Sequence, residues 1–201
     1  MIAAEKTALV LLAAGRSQRF GTVDKLLEPF LGRPLALHIT TALEAMPFAR
    51  RIVVKDGTEL DFGALGYHVI HNEEPDRGLI HSAKLGIEQL RADGVEAVLF
   101  ALADMPRVTA GHIYHMLHAA HGPDAVVASS NGVRPCPPVL FGVGQFDALR
   151  ALDGDQDARA LVQSGKHVVA SPAELIDIDT PEELEKLRGM FPTRWHGGVE
   201  A

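Results

Sequence analysis

The chain carries a single cysteine, Cys136, in 201 residues. That excludes an intrachain disulfide framework and fits a reducing compartment. Aromatic residues make up only 5%, with one tryptophan, Trp195, near the end. One isolated ring is no stacking platform for single-stranded nucleic acid. Basic residues are outnumbered, 19 against 26 acidic, for a net charge of -7, which argues against a broad nucleic-acid-binding face. A small anionic ligand held by a few local cations stays compatible with that balance. No apolar run is long enough to span a bilayer, and Met1 to Thr7 lacks the charged-then-apolar pattern of a secretion signal. The expectation is a cytoplasmic protein without a membrane partner.

Enough apolar material is present, 47%, to bury a sizeable core, and 22% charged residues is ordinary for a globular domain. We expect one domain over residues 1–190, with a tail over 191–201 that has little to bury. Short β-branched or apolar runs alternate with stretches of helical period. Strands are expected at Thr7–Leu12, Arg51–Lys55, Tyr67–His71, Val95–Leu102, Ala125–Ser129 and Val139–Phe141, with extended segments at Val168–Ala170 and Leu175–Asp179. Helical spacing recurs through Leu35, Ile39, Leu43 and Met46, opened by Pro34. It returns at Leu79, Ala83, Ile87 and Leu90, at Ile113, Met116, Leu117 and Ala120, over two short stretches near 146–152 and 158–163, and at Pro181–Arg188. The alternation implies an α/β fold: a single three-layer domain with a mostly parallel, Rossmann-like sheet covered by helices on both faces. Ligands of such sheets bind beyond the carboxyl ends of the strands, so the chemistry is sought just after each strand.

After the first strand comes Leu12-Ala13-Ala14-Gly15-Arg16-Ser17-Gln18-Arg19-Phe20-Gly21, then Asp24-Lys25. Small residues let the backbone approach a ligand, and exposed N–H groups can cradle phosphate oxygens. Arg16, Arg19 and Lys25 add the positive charge a triphosphate needs. The spacing matches neither the dinucleotide fingerprint nor the Walker loop. A solvated basic turn would have the same composition. Asp104 closes the most apolar strand, just before Met105-Pro106. A carboxylate there is costly unless it meets a cation or donors, and a hard divalent ion prefers carboxylates together with substrate phosphates and water. Asp177 and Asp179, two residues apart, can face one side; Asp179 could equally be the N-cap of the last helix.

The loop, together with Lys25 and Gly32-Arg33-Pro34-Leu35, resembles the signature of the molybdenum cofactor nucleotidyltransferases, nearest to the cytidylyltransferase branch. Further motifs follow in order: Asn72, Pro75, Gly78 and Ser82; Ala103-Asp104-Met105-Pro106, where the family has Gly-Asp-Met-Pro; Pro138-Val139-Leu140-Phe141; Gly154-Asp155 through Ala158-Arg159, with Asp157 in place of a glycine; and Asp177-Ile178-Asp179-Thr180-Pro181-Glu182. The resemblance implies transfer of CMP from CTP to the phosphate of a molybdopterin acceptor, with release of pyrophosphate and a molybdenum hydroxylase as recipient of the product. It implies Mg2+ held by Asp104 and the closing motif, Asp179 preferred over Asp177. Lys25, Arg19 and Asp104 would be catalytic. Leu12, Ala13, Ala14, Gly15, Arg16, Asn72, Gly78 and Ser82 would hold the nucleotide; Arg134, Cys136, Asp155 and Arg159 would face the acceptor. Ala14 fits the cytidylyl branch, since the guanylyl branch more often reads Leu-Ala-Gly-Gly. Arg134-Pro135-Cys136-Pro137-Pro138 departs from the cytidylyl Arg-Gly-His-Pro, which leaves a sugar phosphate or isoprenoid phosphate acceptor, or a GTP donor, as alternatives. A non-catalytic nucleotide carrier is the competing class. A nicotinamide-dependent oxidoreductase is disfavoured, because the dinucleotide fingerprint is missing.

Two features are not read as a metal site or a nucleophile. His112, His115, His118 and His121 fall opposite the apolar face of their helix and read as a solvated stripe. Cys136, between two prolines with only Arg134 as a nearby cation, lacks the surroundings of a nucleophile.

Overall fold

A computed structural model describes residues 1–15, 18–90 and 94–191. Its frame is a seven-stranded sheet made of β1 (Thr7–Ala13), β4 (Arg50–Lys55), β5 (His68–His71), β6 (Ala97–Leu102), β7 (Val126–Ser130), β8 (Pro135–Gly142) and β9 (Lys166–Val169). A separate hairpin pairs β2 (Pro29–Phe30) with β3 (Arg33–Pro34). The sheet order is β5-β4-β1-β6-β8-β7-β9. Pairing is parallel except at β8, which runs antiparallel to both β6 and β7.

Every residue of β1 is buried, and its alternate side chains feed two cores. Leu9, Leu11 and Ala13 pack with Ile39 and Met46 and with Ile113 and Met116 of α3 (Ala110–Ala119); Ile39 lies in α1 (Ala36–Ala42). Ala8, Val10 and Leu12 face Ile80, Ala83 and Ile87 of α2 (Leu79–Glu88), with Phe146 and Leu149 of α4 (Phe146–Ala151) alongside. Leu161 and Val162 of α5 (Asp155–Ser164) pack against the same cluster. Each fully buried aliphatic side chain of this kind contributes about 1.5–3 kcal/mol. Gly86 makes the α2–β1 contact possible: a Cβ there would meet Val10 Cγ1 at 2.6 Å. The expected three-layer α/β domain is therefore present.

The closing helix α6 (Pro181–Met190) instead packs on the hairpin side. Leu184 and Leu187 join Phe20, Phe30, Leu35 and Ile178 in a third core. Pro34 lies in β3 and not in the first turn of α1, where the sequence placed it. Leu175–Asp179 joins neither ladder; its Ile178 N–H donates to Asp104 O at 3.1 Å, just past the end of β6. Among the described residues, no helix is long and apolar enough to cross a membrane.

The histidine stripe needs correction at one position. His112 is buried on α3, and its Nε2 lies 2.8 Å from the Oγ of Ser129, which itself donates to Pro138 O at 2.9 Å. Burial holds the His112 imidazole below its usual range, opposed by the Glu174 carboxylate and aided by His115. With the folded-state value depressed, the neutral ring is favoured on folding, so this stability is present above the ordinary histidine pKa and lost as pH falls through it. His112→Gln should therefore flatten the decline in urea stability as pH falls below about 6.5, the ordinary histidine value. Equal slopes for wild type and variant would remove His112 as the source.

Candidate active site

The order β4-β1-β6 makes β1 a switch point: the chain leaves it toward β4 on one side, and β6 flanks it on the other. The carboxyl ends of these parallel strands share one edge, and β7 delivers its end there too. Leu12, Ala13 and Ala14 are buried at that edge, and Gly15 emerges into solvent with open space around its Cα. Arg16 lies outside the described residues. Ala103 N–H donates to Leu12 O at 3.0 Å, which sets the Ala13–Gly15 loop beside Asp104.

Lys25 reaches into this junction from the loop before the hairpin. Its side chain is only 8% exposed, and its ammonium donates to Asp104 Oδ2 at 2.6 Å and to Ile178 O at 2.9 Å. Asp179 Oδ1 stands 3.5 Å away. Arg19 Nη1 pairs with the other oxygen, Asp179 Oδ2, at 3.1 Å across an exposed gap. Lysine, arginine and two aspartates from three separate stretches of chain thus meet at one strand tip. Buried Ile178 separates Asp177 from Asp179, so both acidic side chains face outward.

Asp104 is under electrostatic tension. Burial pushes its carboxyl above the usual carboxylate range, the Lys25 ammonium pulls it down, and the charges of Asp177 and Asp179 push it up again. Its Oδ1 is buried without a hydrogen-bond donor. Such an orphaned oxygen beside a half-exposed second carboxylate suits a hard cation. Among the described residues, no group of three or more His, Cys, Asp or Glu is placed to hold a metal unaided. The remaining ligands would come from water and substrate phosphates, as Mg2+ prefers. The Asp179 carboxylate is not taken up in capping α6. Thr180 Oγ1 accepts from Glu183 N at 3.2 Å, and Glu183 Oε2 accepts from Thr180 N at 2.9 Å and from Asp179 N at 2.8 Å, a full capping box one residue later.

The other expected positions divide into two groups. Asn72 and Ser82 are buried and bonded to each other, Nδ2 to Oγ at 3.0 Å, and Gly78 turns the chain into α2 at φ +86°. Asp155 Oδ1 accepts from Ile80 N at 3.0 Å, so this aspartate caps α2. Arg159, on the same helix α5, is exposed. On the β7–β8 connection, Asn131 Oδ1 accepts from Val133 N and Arg134 N and shapes a tight loop that leaves Arg134 exposed. Cys136 pairs in register with Ser129 and is half-buried. Burial raises its thiol pKa, the nearby Asp177 charge adds to that, and Arg134 and a backbone contact at Asn131 oppose it. That leaves it a poor nucleophile at neutral pH. Sequence reasoning missed the Ile178 carbonyl on Lys25 and the capping role of Asp155; a carbonyl has no sequence signature, and the second contact spans 75 residues.

Residues 9–169 match the MobA-like NTP transferase domain. The chain belongs to that family. It is an enzyme, a nucleotidyltransferase. It is similar to the purine catabolism protein PucB of Bacillus subtilis, 30% identical over 198 residues that cover 89% of this chain and 94% of the relative. It is also similar to the molybdenum cofactor guanylyltransferase of Methylibium petroleiphilum, 32% identical, covering 76% of this chain and 77% of that one. The fold recurs in the crystal structure of Rv0371c in complex with manganese from Mycobacterium tuberculosis, with a TM-score of 0.70 at 22% identity over 90% of this chain and 97% of that one.

Proposed function

We propose that the enzyme transfers CMP from CTP to the terminal phosphate of a molybdopterin-type acceptor and releases pyrophosphate. The observation that carries this is the meeting of Lys25, Arg19, Asp104 and Asp179 beside the Ala13–Gly15 loop. An acceptor phosphate is already anionic near neutral pH, so the chain need supply no strong base. What the reaction needs is alignment of two polyanions and neutralisation of charge around the α-phosphorus. Mg2+, held by Asp104 and Asp179, would offset charge on the phosphates as a Lewis acid. Lys25 fixes the Asp104 carboxylate and brings the positive field to the strand tip. Arg19, exposed and tethered to Asp179, can turn toward the departing pyrophosphate. The loop at Ala13–Gly15 and the segment Asn72–Ser82 frame base and ribose, and the acceptor lies toward Arg134, Cys136 and Arg159.

CTP is favoured over GTP by Ala14 in Leu-Ala-Ala-Gly, and the similarity to a guanylyltransferase makes GTP the comparison that matters. Such a product would pass to a molybdenum hydroxylase in the cytoplasm. A different phosphorylated acceptor is the second reading, favoured by the Arg134-Pro135-Cys136-Pro137-Pro138 loop. Purified protein incubated with CTP, GTP or ATP, Mg2+ and molybdenum cofactor should give one CMP-bearing product by mass. EDTA should remove the activity and added Mg2+ restore it. A GMP-bearing product would reverse the base assignment; turnover with a sugar phosphate but not with molybdenum cofactor would reverse the acceptor.

A further inference from the structure

The segment between β5 and α2 is held at both ends by side chains. At its start Asn72 N–H donates to Lys55 O at 2.9 Å, and the buried Asn72 amide bonds Ser82 Oγ and, through Oδ1, Glu74 N–H. Pro75–Arg77 then forms one 3-10 turn, and Gly78 redirects the chain into α2. Gly78 stands at the N-cap of α2, so the helix lacks a cap of its own and its first N–H groups need an acceptor from elsewhere.

Asp155 supplies it. Its Oδ1 takes the Ile80 N–H at 3.0 Å, and its Oδ2 lies 3.0 Å from where a Gly78 Cβ would stand, so the carboxylate rests on the turn itself. Asp155 is also the first residue of α5, directly after Gly154. One carboxylate thus sits at the positive ends of two ten-residue helices, where both dipoles favour it. One turn along α2, Lys84 Nζ donates to Leu152 O just ahead of α5 and repeats the tie.

We infer that Asp155 is a positioning residue for the 72–82 segment: it caps α2 and so fixes the surface offered to the nucleotide. This rests on the reading above, in which that segment frames base and ribose. It also revises the expected contact of Asp155 with the acceptor. An anionic acceptor gains nothing from a carboxylate, and this one is already committed to Ile80 N–H and pressed on Gly78. The coupling ties the first residue of α5 to the nucleotide half of the site.

The test uses the full chain with Asp155→Ala, Asp155→Asn and Asp155→Glu. Asparagine caps nearly as well as aspartate, whereas glutamate keeps the charge and loses the geometry. We expect Asp155→Ala to raise the nucleotide KM about tenfold while the acceptor KM stays within about twofold, magnitudes set by loss of one helix cap. Asp155→Asn should restore most of the loss and Asp155→Glu should not. Hydrogen exchange at the Leu79–Ser82 amides should quicken in the alanine and glutamate variants and remain slow in the asparagine variant. If alanine does not fold, the glutamate–asparagine pair carries the same comparison. A raised acceptor KM with an unchanged nucleotide KM, or unchanged exchange in all three, would overturn the inference. Wild-type protein that releases no pyrophosphate from any nucleoside triphosphate would instead overturn the proposed function, and the exchange comparison would still decide the role of Asp155.

Discussion

Asp104→Ala is expected to reduce pyrophosphate release by at least about a thousandfold, a loss near 4 kcal/mol of transition-state stabilisation. Two effects add at this position. The buried Oδ1, which has no protein donor, is the oxygen best placed for a divalent ion. Its partner Oδ2 holds the Lys25 ammonium at 2.6 Å. Alanine removes both and leaves a buried cation with the Ile178 carbonyl and a more distant Asp179. Stability should therefore fall as well, by about 3–5 kcal/mol if the site behaves like other buried pairs that lose one member. Asp104→Asn separates the effects: its shape and its Lys25 contact survive, so folding should recover while activity does not. An asparagine variant with more than a tenth of wild-type turnover would end the metal role of Asp104.

Lys25→Met should lower kcat/KM by about a hundredfold to a thousandfold, the range for loss of one preorganised charged donor. The shape of the pH profile is more telling than the size. Burial already pushes the Asp104 carboxyl up, and Lys25 is the one named group that pulls it down. Without Lys25 the carboxyl titrates at higher pH, so at a given pH more of it is protonated and unable to bind a cation. The acid limb of the Lys25→Met profile should therefore move to higher pH than in wild type, and the variant should recover part of its deficit as pH rises. A uniform loss at all pH values would mean that Lys25 acts on the substrate alone. Combined with Asp104→Asn the two losses should fall well short of adding, because each removes the charge attraction within the same ion pair.

Both experiments concern residues visible in the sequence for a simple reason. A charged side chain at the tip of an apolar strand needs a partner, and the strand pattern alone locates the tips of β1 and β6. The layered sheet was legible for the same reason: all-apolar runs such as Ala8–Ala13 have little alternative to burial on both faces. The antiparallel β8 was not legible, because strand direction leaves no trace in a run such as Pro138-Val139-Leu140-Phe141. The Phe30–Arg33 turn escaped because its flanking strands are two residues each. His112 was misplaced by a wheel drawn from apolar residues, which cannot show that a polar ring at the border of that face meets Ser129 on a neighbouring strand. Asp179 competed with Thr180 for the cap, and only the Glu183 bonds decide it in favour of threonine.

The matched family domain ends at residue 169, yet two of the three oxygens around the Lys25 ammonium come from residues 178 and 179. A fragment ending there would retain every strand of the large sheet and still meet its substrate without Asp179 and without the Ile178 carbonyl that holds Lys25. Expression boundaries for this enzyme, and any fusion at its carboxyl end, are therefore best set beyond α6, with the last helix kept as the packing support of Ile178 and not treated as trim.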